Sequence, residues 1–302
     1  MTSEPATDLE REPEPALAEA APPAPVRHLY APRGAPAGPP DWVLIGLGLA
    51  YIVAIAALVL LPGASLLERL RELDAGICAQ VPAHSFFPAG QQLPLCSRNT
   101  GIYVGFGATL LTLIASGRLR AARLPVPWVA LVLGIAVLGL AVDGFNSLFL
   151  DLGLPHLYQP HNLLRLATGL GTGTAMASFL LPVAGGVIWR DDDSRASFGS
   201  FRQLAVMLPI LVVAFLVVAS QAPWILYPVA LFSSASLVVA LALINLVFAV
   251  GLTRRPNQYA GARQLLPLFT LVVALAIIEL IALSVLKTSA LRALGVTTLN
   301  MP

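Results

Sequence analysis

The chain alternates between long runs almost free of charge and short intervals that carry arginine. A helix needs roughly 20 apolar residues to cross about 30 Å of hydrocarbon. Trp42–Leu61, Gly101–Ala115, Val126–Val142, Leu163–Ile188, Leu204–Ser220, Trp224–Leu252 and Leu265–Leu286 fit that requirement and predict about seven spans. The second is short and borrows Thr100, or Ser116 and Gly117, at its ends, and the sixth is long, with Pro228 near its start, so six or eight spans stay open. Leu66, Leu67, Leu70 and Leu73 interleave with Glu68, Arg69, Arg71 and Glu72 at helical spacing, which predicts an interfacial turn or an extension of the first helix. Gly101-x-x-x-Gly105 and Gly169-x-x-x-Gly173 open the second and fourth helices; small residues at that spacing let backbones approach, so these two helices are expected to pack together.

Composition agrees with the pattern. A chain that is 57% hydrophobic and 11% charged, with mean hydropathy +0.80, is too apolar for a soluble domain. The expected fold is an all-α, polytopic transmembrane bundle. Residues 1–40 are different: ten are proline and no apolar period appears, which predicts a disordered tail rather than a cleaved signal peptide. Residues 41–190 then form a membrane core of four helices with a loop over 63–100, and residues 191–302 a three-helix membrane region.

All but one of the 18 basic residues are arginine, and their placement orients the spans because short cytoplasmic loops carry the excess. Arg118, Arg120 and Arg123 separate helices two and three; Arg190, Arg195 and Arg202 helices four and five; Arg254, Arg255 and Arg263 helices six and seven. The alternate loops, 143–162 and 221–223, carry none. The basic loops and the amino terminus are therefore expected in the cytoplasm, and the protein in a plasma or inner membrane. The 63–100 loop then faces outward although it holds Arg69, Arg71 and Arg98.

That loop contains both cysteines, Cys78 and Cys96. On an oxidising face a disulfide is the favoured reading. A metal site and two free thiols are the alternatives, but zinc needs about four ligands and the loop adds only His84. No metal or cofactor is expected.

Asp143 ends helix three, Asn162 and Arg165 begin helix four, and Glu279 lies in helix seven. Ionisable groups at such depth face a partner or a wet cavity. Arg98, Tyr103, Asp143, Asn162, Arg165, Glu279 and His84 are accordingly the candidate ligand-binding residues: a polar outer-leaflet pocket for an anionic lipid headgroup or small ligand, with Arg165 paired to Asp143. A proton-coupled transporter, or a subunit of a membrane complex without chemistry of its own, are the alternatives. Membrane lipids, a small anion or a membrane-complex partner are the expected partners, and nucleic acid is not. No nucleophile and base, and no nucleotide or metalloprotease motif, stands at a convincing spacing, so an enzymatic role stays open.

Cys78-x-Gln80, Ser85-Phe86, Pro94-Leu95-Cys96-x-Arg98-x-Thr100-Gly101-Ile102-Tyr103-x-Gly105, Asp143-Gly144 and Asn162-x-x-Arg165-x-x-Thr168-Gly169 together resemble the membrane proteins called domain of unknown function 2085, over roughly residues 70–185. The resemblance implies a membrane location and helical fold but no known reaction. It also implies a Cys-His-Gln opening, an Arg before Ser-Phe, a further cysteine after Arg98, and a Gln after Asp-Gly. Ala79, His84, Asn99 and Asn146 stand there instead. A metal site of three cysteines and a histidine, if the family builds one, is not expected in this chain.

Overall fold

The computed structural model describes residues 40–43, 45–50, 64–191, 193–253 and 256–293. The tail expected over residues 1–40 lies outside them save for its last residue, as do the second half of the first expected span and Arg254 and Arg255. The helices are α1 (Asp41–Ala50), α2 (Leu66–Asp74), α3 (Ser97–Ala115), α4 (Pro127–Asp151), α5 (Asn162–Ile188), α6 (Phe201–Ala219), α7 (Leu226–Leu252) and α8 (Ala262–Ala293). Short 3₁₀ turns cover Pro82–His84, Pro88–Gly90 and Pro223–Ile225.

Among the described residues five helical stretches, Pro127–Asp151, Asn162–Ile188, Phe201–Ala219, Pro223–Leu252 and Ala262–Ala293, are long and apolar enough to cross a membrane. The helical membrane fold is therefore as expected, whereas the count of seven is not reached. α3 falls short because its first turn is Ser97-Arg98-Asn99-Thr100, and only the start of the first expected span is described.

Local signals account for the helix starts. Ser65 and Glu68 form a reciprocal capping box on α2. Pro127 occupies the first turn of α4, where its missing N–H does no harm. His161 caps α5 by accepting the Leu163 amide on Nδ1.

α5 is the most enclosed of the long helices; α4, α6 and α8 expose most of their surface. That division fits a bundle whose outer helices face lipid and whose centre is packed by side chains. The seam between α3 and α5 is held by backbone proximity: a Cβ on Gly101 would run into the Leu166 carbonyl, and one on Gly173 into that of Ile102. The expected packing of these two helices through their glycines is thus seen. Val104, Leu166 and Leu170 join Ile225, Leu226 and Val229 on one side of the seam, and Phe106, Leu110, Leu113 and Leu181 fill the other.

One feature adds to the all-helical expectation. Ala121–Arg123 (β1) and Asp193–Ala196 (β2) pair in parallel, with Ala121 opposite Asp193. Arg118 Nη1 donates to the Ala196 carbonyl at 2.5 Å, and Arg120 Nη2 to that of Ala260 at 2.8 Å while its guanidinium lies over Trp189. The interhelical loops after α3, α5 and α7 therefore meet at one end of the bundle. At the other end, the 75–96 loop meets the α4–α5 hairpin and the α6–α7 turn: Asn162 Nδ2 donates to the Ala83 and Ser85 carbonyls, and Phe87 donates its amide to Gln221 Oε1.

Candidate functional site

The second end holds the polar chemistry. Along α4, Asp143, Asn146, Ser147 and Asp151 fall at helical spacing on one face, and the first three are buried. Arg98, from the first turn of α3, meets Asp143: Nη2 stands 2.6 Å and Nε 3.2 Å from Oδ2, with Nη2 also 3.2 Å from the Asp143 carbonyl. The Tyr158 hydroxyl donates to Asp143 Oδ1 at 3.0 Å. Both carboxylate oxygens are thus satisfied, which a buried carboxylate requires.

Arg165 does not pair with Asp143, contrary to the expectation from their spacing. Arg98 reaches that carboxylate from α3 and occupies it. Arg165 is almost wholly buried and donates from Nη1 to Asn162 Oδ1 at 2.9 Å and from Nη2 to Ser147 Oγ at 3.4 Å; its Nε has no partner among the described residues. Ser147 Oγ also receives Arg98 Nη2 at 3.1 Å, so one hydroxyl lies between the two guanidinium groups. Among the described residues no carboxylate lies within 4.0 Å of Arg165.

His84 Nε2 stands 3.5 Å from Asp151 Oδ1. Partial burial and then the Arg165 charge hold its pKa below the usual imidazole value, against the pull of Asp151. The neutral ring is therefore favoured at neutral pH.

The structure brings Arg98, Asp143, Asn162, Arg165 and His84 together and leaves two candidates elsewhere. Tyr103 packs with Cys78, Leu95, Leu237 and Leu280 rather than on the arginines. Glu279 accepts a hydrogen bond from Asn245 Nδ2 at 2.8 Å, on the α7–α8 side of the bundle. Asn146, Ser147, Asp151 and Tyr158 enter the site unforeseen. The first three carried a legible signal, the 143–146–147–151 spacing on an apolar helix. Tyr158 carried none, because the hairpin that returns it to Asp143 is shaped by Asn146, whose Oδ1 accepts the Leu157 and Tyr158 amides.

The disulfide expected between Cys78 and Cys96 is corrected: both are free thiols. Cys78 Sγ accepts the Cys96 amide at 3.2 Å and the Gln80 amide at 3.4 Å. A hydrogen bond from the Cys96 thiol, with those amides, lowers the Cys78 pKa, and the same pairing raises that of Cys96. Side-chain amides close the loop in place of a covalent bond. Gln80 Nε2 donates to the Arg71 and Pro94 carbonyls, and Gln92 Nε2 to the Gln80 carbonyl and Ser85 Oγ, all within 2.9 Å.

Beside Arg165 opens a cleft of about 380 Å³, lined by Phe86, His161, Asn162, Leu163, Arg165 and Gln221 among others. Its volume is in the range of small-molecule sites.

Long apolar helices around a buried arginine–aspartate cluster define an integral membrane protein of the polytopic helical class. Residues 78–179 match the family described as predicted membrane protein (DUF2085). An uncharacterized protein of Methanothermobacter thermautotrophicus is 32% identical over 104 residues, 33% of this chain and 81% of that protein. An uncharacterized protein of Methanocaldococcus jannaschii is 31% identical over 107 residues, 35% of this chain and 63% of that protein, so the match spans less than two thirds of its length. The chain belongs to the DUF2085 family. No solved structure matches it.

Proposed function

We propose that this protein holds the anionic group of a membrane lipid or small ligand in the cleft beside Arg165, on the extracytoplasmic side of the membrane. The observation that carries the reading is the state of Arg165. A buried guanidinium ordinarily has a carboxylate beside it. Here Asp143 is taken by Arg98, and Arg165 meets only neutral oxygens while lining an open cleft. An anion supplied by a ligand would complete it with charge-assisted hydrogen bonds.

The orientation rests on the arginines of the loops after α3 and α5, which meet the α7–α8 loop at the opposite end, and on the excess of basic residues in cytoplasmic loops. Asn162 and Ser147 serve as positioning residues that aim the guanidinium. The test is lipid retention. The wild-type protein and Arg165→Gln are purified in mild detergent, and bound lipids are identified by native mass spectrometry. Wild type is expected to carry anionic lipid that the variant has lost. Equal retention by both proteins would count against the reading.

A further inference from the structure

The cleft also reveals the chemical class of its occupant, through the hydrogen-bonding groups it leaves over. Its side-chain acceptors are used inside the protein. Asn162 Oδ1 accepts from Arg165 at 2.9 Å, Gln221 Oε1 accepts the Phe87 amide at 2.9 Å, and His161 Nδ1 accepts the Leu163 amide at 3.2 Å. Ser85 Oγ receives Gln92 Nε2 at 2.9 Å and donates to the Val81 carbonyl at 2.8 Å.

The groups left over are donors. With Nδ1 of His161 accepting, the neutral ring carries its proton on Nε2. With Gln221 Oε1 held by Phe87, the amide nitrogen of that side chain has no partner among the described residues. Arg165 Nε, deep beside the cleft, has none either. No aspartate or glutamate lines the cleft, and it lies at the N-terminus of the 27-residue α5, where the helix dipole favours negative charge. A cation would find no carboxylate among these side chains, whereas an anion meets several N–H donors.

We infer that the cleft takes the tetrahedral phosphate group of a monoester, held by Arg165 together with His161 and Gln221. This rests on the anion-binding reading above and narrows it. The donors come from separate elements: α5, the residue that caps it, and the α6–α7 turn. A carboxylate presents two oxygens in one plane, whereas a phosphate monoester presents three terminal oxygens in different directions and can meet all of them. Phe86, Leu163 and Ala219 form an apolar wall on the same cleft, suited to the carbon chain that a phosphate ester carries. The phosphate group is shared by lipid headgroups and soluble phosphate esters.

Two substitutions invert the donors without removing the bonds that hold the fold. Gln221→Glu keeps an oxygen for the Phe87 amide, and His161→Asp keeps an N-cap acceptor for Leu163. The full-length protein, stripped of lipid in detergent, is titrated with glycerol 3-phosphate, phosphatidic acid, acetate and oleate, and affinity is read by thermal shift. Phosphate-bearing probes are expected to bind about tenfold or more tighter than carboxylates, and each substitution to weaken them about tenfold, the loss of one charge-assisted hydrogen bond. Binding of phosphatidic acid alone would assign the lipid source, and binding of both phosphate probes a soluble ester as well; either supports the inference. If oleate binds as tightly as phosphatidic acid and only Arg165→Gln abolishes binding, the phosphate assignment falls and the anion site stands. If Arg165→Gln leaves every affinity unchanged, both fall.

Discussion

Asp74 permits a quantitative test of how the cleft end of the bundle is held. Its carboxyl is fully buried at the end of α2. Oδ2 accepts from the Ser234 hydroxyl of α7 at 2.6 Å, and Oδ1 has no partner among the described residues. Burial, partly offset by that hydrogen bond and reinforced by the nearby Cys78, pushes the pKa from 3.8 up to about 7. Between those values the native state keeps a proton that the unfolded chain has released, so stability falls as pH rises from about 4 to about 7 and levels off above. A difference of about 3 units corresponds to about 4 kcal/mol as an upper bound, at 1.36 kcal/mol per unit.

Asp74→Asn keeps the shape and an acceptor for Ser234 but cannot ionise. The protonated carboxyl leaves one donor unpartnered and the amide two, so near pH 4 the variant should be slightly less stable than wild type. Near pH 8 the variant should melt higher, by on the order of 10 °C for a chain of this size. Intrinsic-fluorescence melting in detergent across that pH range reads both curves. Parallel profiles, or a variant less stable than wild type near pH 8, would refute the reasoning, because the carboxylate would then be charged and stabilising in the fold.

Removing Arg98 should destabilise the protein by about 3 kcal/mol, since it leaves the buried Asp143 carboxylate unpaired, and removing Asp143 by less, since Arg98 is only partly buried; the pair Arg98→Met with Asp143→Leu should lose less than the sum of the singles, and strict additivity in denaturant midpoints would show the ion pair to be uncoupled. Gly101→Ala should destabilise by about 1–3 kcal/mol through its clash with the Leu166 carbonyl. Gly134→Ala on α4, with open space around it, should not, and equal melting of both variants would mean that the α3–α5 seam yields. A membrane-impermeant maleimide applied to intact cells should label Gln159→Cys and spare Arg195→Cys; the reverse pattern would invert the proposed orientation. Denatured without reductant, the protein should take up an alkylating group on both Cys78 and Cys96, and uptake only after reduction would contradict the free thiols.

The helical membrane fold was legible in the chain because the rule behind it is local. Backbone groups in hydrocarbon must be satisfied within a helix, so each span has to announce itself as an uninterrupted apolar run. The glycine seam was legible for a similar reason: at i and i+4 small residues fall on one helix face. The co-location of the arginine-bearing loops after α3, α5 and α7 also followed from the alternation of spans.

The pairing of the charges was a different matter. Asp143 and Arg165 are close in sequence across one hairpin, and Arg98 is 45 residues from Asp143, yet Arg98 takes the carboxylate because α3 and α5 touch backbone to backbone and bring its first turn beside α4. Glu279 belongs to α8, which packs against α7 and α2, so its depth along the chain said nothing of its neighbours. Tyr158 needed the Asn146-stapled hairpin, and the closed Cys loop needed glutamines whose carbonyl partners lie 9 to 14 residues away. Sequence alone determined that the chain is a helical membrane protein, because that depends on the residues of each segment. Only the tertiary structure decided which charges are neutralised and which, Arg165 above all, stands without a carboxylate among the described residues, because charge compensation depends on which helices pack together.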